Sequence, residues 1–322
     1  MLNYGVIGAG RIAKQFCDAV NGINGKLYAI ASRNMERALS YQKEFRFEKA
    51  YDSYEALLSD PKVDIVYVAT PHGLHYEQMM QILDYKKHIL CEKPLTLNEK
   101  QAKAVFQKAK EKKLFVMEAL WTRFLPTIIE VKQLVDDGII GDITEIHNSF
   151  GFAFEYGEKA RLYDPKMGAG ALLDVGVYPV SFSHLFLGPP TSFETTATMD
   201  PNGFDLSEEM TFHYSGAVAH LASSIIKDLD STAIIKGTKG YIKIPTFWKA
   251  EKAFIYDLNH HLIKEISYPF IANGFEYEIM ETYRVVEAGL LESKIMSHEV
   301  TLETMRELDA LRKAWGLKYP QE

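Results

Sequence analysis

The chain has 322 residues, with 36 Lys and Arg against 43 Asp and Glu, a formal charge of −7, and 47% of its residues are hydrophobic. That length predicts about two domains, the acidic balance argues against a nucleic-acid backbone as the main ligand, and the apolar content excludes wholesale disorder. Two cysteines, Cys17 and Cys91, make neither a disulfide framework nor a four-sulfur zinc site.

The first residues run straight into a strand without a basic segment or cleavage site ahead of it. The longest run lacking Asp, Glu, Lys and Arg, Val175 to Phe193, is broken by Pro179 and Pro189-Pro190. Neither a secretory signal nor a membrane-spanning helix is expected, and a cytoplasmic location is.

Leu2 to Ile7 predicts a strand, followed by a Gly-rich turn and a helix through about Val20. Leu27 to Ser32 predicts a second strand, with Asn34 capping the next helix. Asp64 to Ala69 is a β-branched run suited to a buried parallel strand. Gly73 to Leu83 predicts a helix, His88 to Cys91 a strand, Asn98 to Lys112 a capped helix and Leu114 to Met117 a strand. This alternation predicts a doubly wound α/β domain over residues 1–120.

The pattern changes near residue 120. A helix over about Pro126 to Asp137 precedes a strand-like segment, Ile143 to Phe154, and Gly168-Ala169-Gly170 leads into an apolar helix through Leu187. Strand-like pieces from Thr191 to Tyr268, separated by turns, predict a large, open, mostly antiparallel sheet. Helices over about Phe275 to Leu291 and Leu302 to Trp315 end the chain. Residues 121–322 are thus expected to form an α+β substrate-binding and oligomerisation domain, the terminal helix being free to pack back on the first.

Gly8-Ala9-Gly10-Arg11-Ile12-Ala13 follows the first strand and opens the first helix. Two glycines permit a sharp turn and close approach of a pyrophosphate to the helix N-terminus, and Ala13 permits tight helix–strand packing. An acidic residue about 20 positions on would select NAD. Ser32, Arg33 and Arg37 stand there instead, which favours NADP and leaves NAD possible. A solvated helix face is the alternative for the two arginines.

Three further patterns are Thr70-Pro71-His72-Gly73-Leu74-His75, Glu92-Lys93-Pro94 and Asp174-Val175-Gly176-Val177-Tyr178. The first two follow strands, where open α/β sheets place their ligands. Moving a hydroxyl proton during hydride transfer suits Lys and Tyr whose pKa values are drawn toward neutrality. Asp174 falls on the helix face of Tyr178, four residues on. A surface Lys93 and a structural Tyr178 are the bland alternatives. His72 and His75 lack a third ligand at metal spacing, and no metal is expected.

The order and spacing of these motifs resemble the glucose–fructose oxidoreductase, inositol dehydrogenase and MocA (Gfo/Idh/MocA) family, over nearly the whole chain. Tyr at 178, where many members carry His, together with Met117-Glu118-Ala119-Leu120-Trp121-Thr122-Arg123-Phe124, resembles the branch holding dimeric dihydrodiol dehydrogenases and NADP-dependent D-xylose dehydrogenases. The resemblance implies an N-terminal Rossmann domain, Tyr178 as acid/base, Lys93 as its electrostatic partner and Asp174 as a ligand for a substrate hydroxyl. It implies that Trp121, Arg123 and Phe150 border the nicotinamide and substrate cavity, with Glu92, His75, Thr70 and His72 on the cofactor side. It also implies a homodimer or higher homo-oligomer formed through the C-terminal sheet.

The expected activity is an NADP-dependent hydride transfer at a carbinol or carbonyl carbon of a small sugar, polyol or vicinal diol, with no nucleic-acid or membrane partner. A carbonyl reductase of sugar-derived ketones or aldehydes, and a non-catalytic NADP-binding redox sensor, are the alternatives. The loops Glu155 to Gly168 and Thr246 to Trp248, expected to shape the pocket, carry no readable motif.

Overall fold

The computed structural model describes residues 2–154 and 160–322, so the first part of the Glu155 to Gly168 loop lies outside the described residues. The chain divides into two compact units, one of residues 1–121 and 270–302, the other of 122–269 and 303–322.

In the first unit, strands β1 (Tyr4–Ile7), β2 (Leu27–Ala31), β3 (Lys49–Tyr51), β4 (Ile65–Val68), β5 (His88–Glu92) and β6 (Val116–Ala119) form a sheet in the order β3-β2-β1-β4-β5-β6. All its pairings are parallel. β1, β2 and β4 are buried along their whole length, as apolar strands covered on both faces must be. Helices α1 (Arg11–Gly22), α2 (Met35–Phe45), α3 (Tyr54–Leu58), α4 (His75–Asp84) and α5 (Glu99–Lys112) connect them. Asn34 and Asn98 cap as expected, their Oδ1 atoms accepting the N–H of Arg37 at 3.0 Å and of Gln101 at 2.8 Å.

Helix α8 (Glu276–Glu287) and the turn before it belong to this unit. Glu276 accepts the backbone N–H groups of Ile271, Ala272, Asn273 and Gly274 at 2.7–3.1 Å, which folds the turn into a cap, and Asn273 donates to the Gln15 carbonyl of α1 at 2.8 Å.

The second unit is built on eight strands in the order β14-β13-β12-β11-β7-β10-β9-β8. These are β7 (Ile143–Gly151), β8 (Ser192–Met199), β9 (Asp205–Tyr214), β10 (Ala217–Ser224), β11 (Ala233–Gly237), β12 (Gly240–Ile244), β13 (Lys252–Asp257) and β14 (Leu262–Ser267). Only β7 and β10 pair in parallel. Ile146, Phe150, Met210, Phe212, Leu221, Ile235, Ile242 and Ile255 are buried, while Glu145, His147, Thr211 and His220 at alternating positions remain half-exposed. Helix α6 (Pro126–Asp136) packs on β13 and β14, and α7 (Val177–Leu187) on β7 and β10. A helix α9 (His298–Trp315) ends the fold.

A π-helical turn, Leu172–Gly176, leads into α7, which is buried from Val177 to His184. The run Pro165–Leu187 has the length and hydropathy of a membrane span, but 78% of its apolar window is buried within the protein, as for a core helix.

Candidate active site

Gly8 and Gly10 differ in what they do. Gly8 has φ +94°, and a Cβ there would lie 2.9 Å from the Ala69 carbonyl oxygen beyond β4, so the fold itself requires glycine. Gly10 has φ −115° and ψ 175°, open to any residue, and a Cβ there meets nothing within 4 Å. Its carbonyl accepts from Tyr41 at 3.0 Å. The first turn of α1 holds no acid and no side chain caps it, so its N–H groups and positive dipole face that open space. Arg11 and Ile12 form this turn. The residues present fit a dinucleotide pyrophosphate, at the point where the strand order reverses.

At the end of β2, Ser32 is buried and its Oγ accepts the Asn34 N–H at 3.3 Å. Arg33 and Arg37 are exposed. Beyond β4, the Thr70 hydroxyl donates to Gln78 at 2.5 Å and His72 is buried. His75 is 1% exposed, with Nε2 2.9 Å from the Thr70 carbonyl and Nδ1 3.1 Å from that of Pro94. It therefore joins the loops after β4 and β5. Burial pulls its imidazole down to about 4, against the two carbonyls, which favour a charged ring.

Glu92 closes β5, buried, and accepts a hydrogen bond from Tyr67, whose ring stacks on Phe16 at 3.7 Å. Lys93 follows, half-buried, ahead of a cis peptide to Pro94. Trp121 is 5% exposed and stacks on Phe275 at 4.8 Å, and a Cβ on Gly274 would come within 2.4 Å of its ring. Within this unit, it packs as an aromatic wall against the turn before α8.

In the second unit, Tyr178 is 8% exposed and edge-on to Phe150 of β7, with Trp248 at 6.4 Å and Phe150 stacked on Trp248 at 4.7 Å. Phe152 completes the aromatic group, 4.7 Å from Phe150. Asp174 lies in the π turn and pairs with Arg161, Nη2 to Oδ1 2.9 Å. Arg123 is buried and donates to Ser181 of α7 at 3.2 Å, so it braces the helix of Tyr178.

Trp248 and Arg161 lie in the loops expected to shape the pocket, where no motif singles either out, and Phe152 has no sequence signal of its own. Trp248 sits in a turn begun by Thr246 at φ +47°, a strained setting for a β-branched residue, and the Thr122 hydroxyl donates to its carbonyl at 2.6 Å. The aromatic pair Phe247-Trp248 was the available signal. Among the described residues, Glu145, His147 and His220 bring three potential metal-binding atoms within 4.8 Å of one another on the half-exposed sheet face. Lys236 already pairs with Glu145 at 2.7 Å.

A parallel sheet in this order and an open glycine at a helix N-terminus define a nicotinamide-dependent oxidoreductase fold. Residues 2–120 match the oxidoreductase family with an NAD-binding Rossmann fold, GFO/IDH/MocA, and residues 128–243 match the GFO/IDH/MocA C-terminal domain. The chain belongs to this family and is a dehydrogenase acting on CH–OH groups.

It is 33% identical over 330 residues to trans-1,2-dihydrobenzene-1,2-diol dehydrogenase of Xenopus tropicalis, covering 98% of this chain and 99% of that one. The Danio rerio enzyme of the same name is 30% identical over 332 residues, covering 100% and 99%. Among solved structures, KijD10, a 3-ketoreductase from Actinomadura kijaniata in complex with NADP and TDP-benzene, superposes with a TM-score of 0.87 at 27% identity, covering 97% of each chain. Levoglucosan dehydrogenase, in complex with NADH and levoglucosan, shares the fold with a TM-score of 0.87 at 19% identity, covering 98% and 97%.

Proposed function

We propose that this protein is an NADP-dependent dehydrogenase of small vicinal diols and cyclic polyols. The carrying observation is the setting of Tyr178: a phenol ringed by Phe150 and Trp248, on the helix that also bears Asp174. Aromatic walls favour a flat or cyclic carbon frame, and the Asp174–Arg161 pair offers an acceptor and donors for hydroxyl groups. The curated relatives named for a cyclic dihydrodiol support the same substrate class.

NADP, when bound, would supply the acceptor for the hydride leaving a carbinol carbon. Tyr178 receives the hydroxyl proton as the carbonyl forms, for which it must stand as the phenolate. In the reverse direction the phenol returns that proton. Asp174 orients the neighbouring hydroxyl. Arg33, Arg37 and Ser32 take the 2′-phosphate, and the first turn of α1 takes the pyrophosphate.

The half-exposed face of the eight-stranded sheet, with Glu145, His147, Thr211 and His220, is the surface through which we expect the chain to form a homodimer. Two buried thiols without a disulfide suit a reducing cytoplasm.

The test is turnover of NADP with trans-1,2-dihydrobenzene-1,2-diol, D-xylose and cyclic polyols, alongside NADPH binding followed by fluorescence. Turnover of the diols and polyols is expected. Tight NADPH binding with no turnover of any substrate would make the chain a redox sensor. Reduction of a sugar ketone is the second reading, favoured by the likeness to a 3-ketoreductase. A panel run with NADPH and keto sugars decides it.

A further inference from the structure

Two acids of β9 lie beneath the π turn that carries Asp174. Asp205 is 0% and Glu208 2% exposed. They share a face because the strand bulges, Thr198 pairing with Ser207 and Met199 with Asp205, so Leu206 is the extra residue. Asp205 Oδ2 accepts the N–H of Leu172, the first residue of the π turn, at 2.5 Å. Glu208 Oε1 accepts from the hydroxyl of Ser223 on β10.

The remaining oxygens, Asp205 Oδ1 and Glu208 Oε2, are buried with no donor of their own, while the two side chains lie within hydrogen-bonding reach of each other. Two carboxylates cannot satisfy one another; a carboxylate and a carboxylic acid can. Burial raises both carboxyls, and Glu208, which also faces Asp205 and has fewer donors than it, is raised well above the usual carboxylate range.

The backbone above is shaped around this pair. A Cβ on Gly170, at φ +117°, would stand 2.2 Å from Asp205 Oδ1, and one on Gly176 2.6 Å from Ser223 Oγ and 2.9 Å from Glu208 Oε1. The glycines at both ends of the π turn are therefore the positions where the chain lies against the acids. Tyr319 holds the approach from another side, its hydroxyl donating to the Ala169 carbonyl at 2.6 Å.

We propose that Glu208 is a positioning residue for Asp174 and Tyr178: as a neutral acid it donates to Asp205, and Asp205 holds the amide that begins the π turn. The rotational setting of the turn, and hence of the two side chains it displays, depends on this relay. The proposal rests on the reading of Tyr178 as the acid/base.

Glu208→Gln keeps a donor for Asp205 and an acceptor for Ser223, whereas Glu208→Leu keeps only the volume. Backbone hydrogen exchange over residues 171–176 is expected to rise about tenfold in Glu208→Leu and to change less than about threefold in Glu208→Gln. With trans-1,2-dihydrobenzene-1,2-diol and NADP, kcat should fall about tenfold in the Leu variant and recover in the Gln variant, with NADPH affinity unchanged in both. A general loss of stability would not produce that rescue.

Parent-like exchange and kcat in Glu208→Leu would overturn the proposal. So would an equal loss in Glu208→Gln. If the Leu variant does not fold, Ser223→Ala serves in its place, with an expected rise in exchange of about threefold. Full turnover in Tyr178→Phe would overturn the acid/base reading instead, and the exchange measurement then decides the proposal by itself.

Discussion

The ring of Tyr178 stands edge-on to that of Phe150, with centroids 5.2 Å apart and planes at 85°. Phenylalanine at 178 keeps this contact, worth about 1 kcal/mol, and removes only the hydroxyl. Tyr178→Phe is therefore expected to fold normally, bind NADPH within a few-fold of the parent and lose about a hundredfold or more in kcat. Stopped-flow turnover beside a fluorescence titration checks this, and retained activity would remove Tyr178 from the chemistry.

Gly8 and Gly10 separate what the fold needs from what a ligand needs. Gly8→Ala forces a side chain into positive φ against the Ala69 carbonyl and should cost about 1–3 kcal/mol of stability. Gly10→Ala meets no protein atom within 4 Å, so its melting temperature should stay close to the parent's while NADPH affinity falls about tenfold or more. Thermal melts with and without NADPH distinguish the two, and a Gly10→Ala variant with full affinity would displace the pyrophosphate from that space.

Arg33 and Arg37 stand exposed at the start of α2. Replacing either with Ala should weaken NADPH binding about tenfold through loss of a charge-assisted contact, with NADH binding little changed. Paired titrations give the ratio. Equal losses for both nucleotides would detach the arginines from the 2′-phosphate.

Glu278 of α8 is 0% exposed, and neither carboxyl oxygen has a hydrogen-bond partner. Burial, with Glu92 and Glu276 nearby, raises its pKa well above the ordinary range. A raised carboxyl favours the folded state fully below its unfolded value of about 4.3. That contribution is lost as pH climbs through the folded value. Glu278→Gln cannot ionise, so its melting temperature relative to the parent should rise between about pH 5 and 8, by an amount equivalent to about 1–3 kcal/mol. A constant difference across that range would show that Glu278 is not held as an acid.

Much of the first unit was legible because its signals are local. Asn34 and Asn98 announce helix starts within three residues, and Gly8 to Ala13 places itself between a strand and a helix. β3 escaped notice because Lys49-Ala50-Tyr51 is only three residues long and not fully buried, and β6 lies two residues beyond its expected start. Residues 270–302 carry no mark of the unit they join. Their place depends on fits such as Ala272 against Gly22, where a Cβ would approach to 2.7 Å.

At the site, motif residues were readable and their supports were not. Both ring nitrogens of His75 face backbone carbonyls, of Thr70 and Pro94, which no sequence pattern announces. Glu208 keeps the inward alternation of Met210 and Phe212, an unusual place for an acid, and the bulge at Leu206 brings Asp205 to the same face. Arg123 donates to Ser181, a contact 58 positions away in sequence that no local pattern announces.

The π turn at Leu172–Gly176 holds one residue more than regular winding would use. Five residues wound this way turn the chain about as far as four of an ordinary helix, so the extra residue is taken up within the turn and the helix beyond keeps its facing. A deletion there would shift the side chains of the turn itself, Asp174 among them, and leave the phenol beyond it against its aromatic neighbours. Inserts and gaps in this short window therefore deserve more weight than point differences when related sequences are compared for shared activity.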